Sequence, residues 1–279
     1  MIDREKGVEL KLKDKVCIIT GAAGLLGFQF SDAILEAGGI VCLLDIDAYR
    51  LNSTKEMFDK KYCDRTLAIE TDITDEDSIS RACALILEKF SHIDVLVNNA
   101  AHNPQVNQAG STNSFSKVEN FSKSVWEKDI AVGLTGAFLC CKIFGAEMAK
   151  NRSGVIVNIA SDLAVIAPDQ RIYQDPLLAW DAQPVKPITY SVIKTGLLGL
   201  TRYLATYWAD RGIRVNALSP GGVYTGQPDD FVKRLTNLIP MGRMAAIDEY
   251  REAILFLCSD ASKYMTGQNI VIDGGRTIW

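Results

Sequence analysis

The sequence is poor in the residues that build metal sites. It holds two histidines, His92 and His102, and its seven cysteines are scattered with no Cys-x-x-Cys pair. A zinc site needs clustered His and Cys ligands, so no metal is expected. A dispersed, odd cysteine count speaks against a disulfide framework and for buried thiols in a reducing compartment. No uninterrupted apolar run reaches bilayer length. The opening Met1-Ile2-Asp3-Arg4-Glu5-Lys6 is too charged for the apolar part of a secretory signal. Long basic tracts are missing and the net charge is −4, so no nucleic-acid surface is expected. What is present is ordinary globular usage, 48% hydrophobic and 23% charged, in a chain long enough to bury a sizeable core. These absences point to a cytoplasmic protein with a small-molecule partner and no membrane or nucleic acid.

Short apolar runs alternate with helical periodicity. Strands are expected at 16–19, 40–44, 67–70, 93–97, 155–159, 214–217 and 269–272. Helices are expected at 25–37, 48–60, 75–90, 125–150, 188–211 and 248–258. Thr74, with Asp77 three residues on, reads as the N-cap of the third helix. The strands are continuously apolar, as in a parallel sheet covered on both faces. The expected fold class is therefore α/β: a single doubly wound Rossmann domain over 1–279, with a seven-stranded parallel sheet flanked by helices on both faces. Two segments interrupt the rhythm. One, 102–122, is rich in Asn, Ser and Gln; the other, 162–189, holds Pro168, Pro176, Pro184 and Pro187.

Thr20-Gly21-Ala22-Ala23-Gly24-Leu25-Leu26-Gly27 joins the first strand to the first helix. Glycines there allow a tight turn and close backbone approach to a pyrophosphate, which helix N-terminal amides can bind. Packing alone also asks for glycine at such turns, so the following acid matters. Asp45 ends the second strand, where a carboxylate accepts the adenosine ribose hydroxyls and repels a 2′-phosphate. No Arg or Lys lies in the loop or directly after Leu44. NAD(H) is expected over NADP(H). Asp45 can instead cap the next helix, a job for which Asp47 competes.

Tyr190-Ser191-Val192-Ile193-Lys194 places a phenol and an ammonium one helical turn apart. A free tyrosine titrates near ~10, so acting as a base near neutrality means lowering it by roughly three units, about 4 kcal/mol. A nearby ammonium favours the phenolate. A serine hydroxyl can hold a substrate oxygen while tyrosine exchanges the proton. Alone, this spacing also describes a solvated helix face.

Taken in order, the motifs resemble the short-chain dehydrogenase/reductase family in its single-domain branch, over nearly the whole chain. Thr20 to Gly27 matches the cofactor loop, including Gly21, Gly24, Leu25, Leu26 and Gly27. Asp72-Ile73 matches the adenine-contacting pair. Asn98-Asn99-Ala100-Ala101 matches the segment after the fourth strand, with Ala101 where glycine is usual. The run from Val155 to Ser161 matches the strand bearing the catalytic serine, and Tyr190 with Lys194 matches the catalytic pair. Pro220-Gly221-Gly222-Val223-Tyr224-Thr225 matches the nicotinamide-flanking loop, and Asp273-Gly274-Gly275 the end of the last strand. The resemblance implies an NAD(H)-dependent oxidoreductase. Ser161 would orient the substrate oxygen and Tyr190 would be the acid/base. Lys194 would bind the nicotinamide ribose and lower the tyrosine, and the Val223 backbone would hold the carboxamide. Cofactor contacts carry over to Asp45, Asp72, Ile73, Asn99, Ala100, Pro220, Gly221 and Thr225. A homotetramer or homodimer built from the two long helices and the C-terminal region is also implied, and the apolar end at Trp279 fits a subunit contact.

The chain departs from the family in three places. Its glycines read Gly-x-x-Gly-x-x-Gly, with Leu25 where single-domain relatives place the middle glycine. That spacing resembles the sugar-nucleotide branch, but the short tail after Gly221 leaves no room for that branch's extra domain. Gly133 stands where many relatives carry an asparagine that holds a relay water; Asn103 is one candidate substitute. The 162–189 segment is unusually long. Both its ends sit at the site, so it reads as a substrate wall or lid, or else a subunit-contact arm. Arg171, Tyr173, Gln174 and Trp180 are its candidate contacts to a polar or sugar-like substrate. His92 reads as surface, and His102 as structural or solvent-facing. Two other functions stay open: an epimerase or dehydratase using NAD transiently, and a non-catalytic NAD-binding sensor or scaffold.

Overall fold

The computed structural model describes residues 12–102 and 116–279. Seven strands form one sheet: β1 (Val16–Thr20), β2 (Ile40–Asp45), β3 (Thr66–Glu70), β4 (Val95–Asn98), β5 (Gly154–Ile159), β6 (Ile213–Pro220) and β7 (Asn269–Ile272). Their order is β3-β2-β1-β4-β5-β6-β7, and every pairing is parallel. The expected strands are all present. β6 runs further than expected, to Pro220, because β7 pairs with it through Pro220↔Ile272.

Why the strands are apolar throughout is visible in β1 and β2. Cys17, Ile19, Val41 and Leu43 enter one core, with Phe30, Ile34, Ile254 and Leu257. Val16, Ile18, Cys42 and Leu44 enter the other, with Ile79, Ile86, Phe144 and Met148. Alternate side chains leave opposite faces of a strand, and here both faces are covered.

The helices are α1 (Leu25–Glu36), α2 (Ala48–Tyr62), α3 (Glu76–Phe90), α4 (Lys123–Ile130), α5 (Gly136–Asn151), α6 (Ile188–Tyr207), α7 (Asp229–Thr236) and α8 (Arg251–Cys258). A π turn at Ala131–Thr135 joins α4 to α5. The cap of α3 is Asp75, which accepts from the Asp77 amide, and not Thr74. Thr74 instead donates its hydroxyl to Asp72. Helix α7 has no counterpart among the expected elements; eight residues are too few to hold a helix without packing. The run Lys123–Asn151 corrects the reading of apolar length. It has the length and composition of a membrane span, with mean hydropathy 1.5 over its most apolar window. Its Cys140, Phe144 and Met148 are fully buried in the core beside the sheet.

The chain runs from β1 outward to β3 and then returns to place β4 on the other side of β1. That reversal opens a crevice beyond the carboxyl ends of the central strands, where ligands bind in such sheets.

Candidate active site

The crevice is a cleft of about 640 Å³. Its floor is the glycine-rich loop. Gly21 has φ +63°, and a Cβ there would lie 2.8 Å from the Ala100 backbone. Only glycine allows that approach. Gly27 does not line the cleft; a Cβ on it would meet the Gly21 carbonyl at 2.1 Å, so it packs the helix onto the loop. Gly24 caps α1 without a side-chain hydrogen bond, and Gly24, Leu25 and Leu26 line the cleft. The first-turn amides are thus left for an anionic ligand, as a dinucleotide's pyrophosphate requires. The Asn99 amide donates to Thr20 O at 3.0 Å and to Gly21 O at 3.1 Å, tying the loop to β4.

Asp45 lies at one end of the cleft. Asp47 caps α2 by accepting from the Arg50 amide at 3.0 Å, which frees Asp45 from that job. Asp45 accepts from the Ala23 amide at 3.0 Å and from the Asp47 amide at 3.1 Å. One cation does reach this end. Arg50 lines the cleft, and its Nη2 donates to Ala23 O at 3.1 Å. Its position in sequence hid it: the first turn of α2 carries it back over the loop. Asp72, Ile73, Asn99, Ala100, Pro220, Gly221, Val223 and Thr225 line the cleft as well.

At the other end, Ser161 follows β5 while Tyr190 and Lys194 stand on the first turns of α6, and all three line the cleft. Lys194 Nζ donates to Ile159 O at 2.8 Å, which anchors it under the strand that leads to Ser161. Ser161 Oγ donates to Asp162 Oδ1 at 2.8 Å. In the protein by itself, burial pushes Tyr190 above the ordinary phenol range, a hydrogen bond with Ser161 opposes this, and the Asp162 charge adds to it. Burial, helped by the Lys186 charge, pulls Lys194 down to about 8. The lysine neighbour expected to lower Tyr190 does not outweigh burial in the free protein.

Three residues at this end were not found from the sequence. Lys186 Nζ sits 3.9 Å from the Tyr190 ring centroid, closer than the 5.8 Å of Lys194, and burial lowers it to about 8. Arg276 Nη1 bonds Asp162 Oδ2 at 2.7 Å, with both side chains buried. Asp162 thereby joins Ser161 to the C-terminal segment. Arg276 turns into the cleft, whereas Ile278 and Trp279 are exposed. The Trp279 indole donates to Leu238 O of its own chain at 3.1 Å.

The 162–189 segment forms a wall over the cleft and only part of it reaches inside. Ile172 is buried against Leu235, Ile239 and Met244, and Tyr173 and Lys186 line the cleft. Arg171, Gln174 and Trp180 do not. The 3₁₀ turn Gln170–Tyr173 directs Ile172 inward, so Arg171 points outward and pairs with Asp169 at 2.6 Å. Gln174 and Trp180 are exposed. Trp180 instead carries Lys117 over its ring at 3.9 Å. At Gly133, a Cβ would lie 2.7 Å from Ile193 Cγ2, so Ile193 fills the space an asparagine side chain would need. Asn103 lies outside the described residues.

The short chain dehydrogenase family matches residues 15–173, and the enoyl-(acyl carrier protein) reductase family matches residues 178–277. An NAD-dependent glycerol dehydrogenase of Listeria innocua is 33% identical, covering 97% of this chain and 96% of its own. A D-threitol dehydrogenase of Mycolicibacterium smegmatis is 31% identical, covering 97% and 95%. Among solved structures, an NAD+-bound xylitol dehydrogenase superposes with TM-score 0.82 at 26% identity, covering 95% of this chain and 100% of that one. A gluconate 5-dehydrogenase from Burkholderia cenocepacia, in complex with NADP and tartrate, shares the fold at TM-score 0.82 and 23% identity, covering 96% and 97%. With its parallel seven-stranded sheet and these matches, the chain belongs to the short-chain dehydrogenase/reductase family of oxidoreductases, with polyol dehydrogenases among its relatives.

Proposed function

We propose that this chain is an NAD(H)-dependent dehydrogenase that interconverts a secondary alcohol and a ketone on a small polyhydroxylated substrate. The observation that carries the reading is the meeting of Ser161, Tyr190 and Lys194 at one end of a cleft whose other end presents Asp45. Bound NAD+ supplies the hydride acceptor and a positive charge at this end of the cleft. Tyr190 takes the hydroxyl proton as the alcohol becomes a ketone. Ser161 holds the reacting oxygen, which requires its hydroxyl to turn from Asp162 toward the substrate. Lys194 holds the ribose side of the cofactor and favours the phenolate. Tyr173, Lys186 and Arg276 give the substrate end donors suited to hydroxyl-rich molecules.

Glycerol, D-threitol and xylitol offered with NAD+ or NADP+ test this at the NADH absorbance. Turnover of at least one with NAD+, clearly faster than with NADP+, is expected. Asp45→Ala should narrow the difference, because it removes the repulsion and leaves Arg50, which lines the same cleft, as a cation that could meet a 2′-phosphate. Equal use of both cofactors by the parent enzyme would remove the Asp45 argument. Product formed without net NADH would favour a transient-NAD route, to which the glycine spacing also points.

The assembly we propose is a homodimer or homotetramer through α5 and α6. Phe138 is 47% exposed, Tyr203 65% and Tyr207 60%, and the two tyrosine rings stack at 5.9 Å. A Tyr203→Glu, Tyr207→Glu double variant is expected to scatter light as a monomer. An unchanged mass would exclude this face.

A further inference from the structure

We infer that the substrate carries an oxyanion, a carboxylate or a phosphate, gripped by the open side of the Arg276 guanidinium and by Lys186. This deepens the proposed dehydrogenase reading and rests on it, because it adds a charge to the polyhydroxylated substrate. A neutral alditol fills the hydroxyl contacts of the cleft and leaves that charge unmet.

Arg276 follows β7 in a turn that Asp273 ties down. Asp273 Oδ1 accepts from the Gly275 amide at 2.9 Å, and Oδ2 from the Thr277 amide at 2.7 Å. The Arg276 side chain lines the cleft and is 7% exposed. Its Nη1 donates to Asp162 Oδ2 at 2.7 Å. Nε and Nη2 have no hydrogen-bond partner among the described residues, and Nε is buried. These two nitrogens point their hydrogens to the same side of the planar guanidinium. Together they form the fork that takes both oxygens of a carboxylate, or two of a phosphate. Asp162 does not occupy that fork, since its Oδ1 accepts from Ser161 Oγ and the Leu163 amide. A buried donor without an acceptor costs stability, and a ligand oxygen would remove that cost.

The charge around the fork favours the same ligand. Among the described residues, the substrate end of the cleft holds Lys186, Lys194 and Arg276 against one carboxylate, Asp162. Lys186 is fixed through its backbone amide, which donates to Gln170 Oε1 at 2.9 Å, and its Nζ stands over the Tyr190 ring. Burial pulls Lys186 down to about 8 against the opposing charge of Asp162. Burial and the Lys186 charge pull Lys194 down to about 8 as well. Two ammonium groups that disfavour one another's charge are both relieved by an anion at that end. A hydroxyl can accept from the same donors, but it brings no charge to offset theirs.

The test offers xylitol, D-xylonate and xylitol 5-phosphate, equal in carbon number, with NAD+. For one of the anions kcat/KM should exceed that for xylitol by about 10-fold or more, the worth of one hydrogen bond between charged groups. D-xylonate leads if the group is a carboxylate, and xylitol 5-phosphate if it is a phosphate. Arg276→Lys keeps a cation for Asp162 and loses the fork, while Lys186→Gln keeps a donor and loses the charge. Each should shrink the anion's advantage to about 2-fold or less, chiefly through its KM. Xylitol used as well as both anions, or variants that weaken all three compounds alike, would overturn the inference and leave the dehydrogenase reading standing. A second readout needs no turnover. Calorimetry on the NADH-loaded parent should show the preferred anion binding more tightly than xylitol by about 10-fold or more, and Lys186→Gln should erase the difference. Equal binding of all three by the parent would overturn the oxyanion site. Tight anion binding with no NAD+ reduction by any compound would instead sustain the site and count against the proposed function.

Discussion

A Tyr190→Phe enzyme will lose about two to four orders of magnitude in kcat/KM, the usual worth of a positioned acid/base group. At ~1.4 kcal/mol per decade this is about 3–5 kcal/mol of lost transition-state stabilisation. The loss should fall on kcat, because the substitution keeps the ring under Lys186 and removes only the oxygen that exchanges the proton. NADH should bind the variant as it binds the parent, read by nucleotide fluorescence. In the protein alone, Tyr190 sits above its ordinary range because burial disfavours the phenolate. Placing a cation beside the ring works the other way, so NAD+ binding should lower the tyrosine. The parent's kcat/KM for the alcohol should then rise with pH through the tyrosine's titration, as the phenolate forms. The Tyr190→Phe variant should lack that limb. A variant retaining more than a tenth of parental kcat would remove Tyr190 from the chemistry.

Arg276→Met is expected to cost stability and activity together. Asp162 is 3% exposed; Oδ2 meets Arg276, and Oδ1 accepts from Ser161 Oγ and the Leu163 amide. Removing one partner of such a buried pair leaves an uncompensated charge, at a cost of roughly 3–5 kcal/mol. For a chain of this size that lowers Tm by about 10 °C, at ~2–4 °C per kcal/mol. Without Arg276 on Oδ2, Asp162 is no longer fixed against Ser161 Oγ, which is why kcat should fall too. An Asp162→Asn, Arg276→Met double variant removes the stranded charge and should recover most of the lost Tm without recovering the rate. Melting of Arg276→Met within about 1 °C of the parent would show the pair to be dispensable, against the buried-pair expectation.

Much of the fold was legible because its signals are local. Seven apolar runs, the helical periodicity between them and the turn from Gly21 to Gly27 each lie within a few residues. Tyr190 and Lys194 share a face because a helix brings i and i+4 together. Errors came where a residue had to choose between equal local signals. Thr74 and Asp75 are both good caps, and Asp75 holds the place. In the 162–189 wall, chain direction alone does not say which side chains face the cleft, and the 3₁₀ turn sent Ile172 inward and Arg171 outward.

By itself the sequence determined the order of the strands and of the helices other than α7, the glycine loop followed by the acid Asp45, and the one-turn spacing of Tyr190 and Lys194. Each is written in short-range spacing that backbone geometry converts directly into position. Only the tertiary structure decided that Arg276 closes on Asp162, that Lys186 sits over Tyr190, that the apolar Lys123–Asn151 run packs its Cys140, Phe144 and Met148 against the sheet, and that Ile193 fills the space beside Gly133. Those contacts join residues far apart in the chain, and sheet order, side-chain direction and packing volume choose them together.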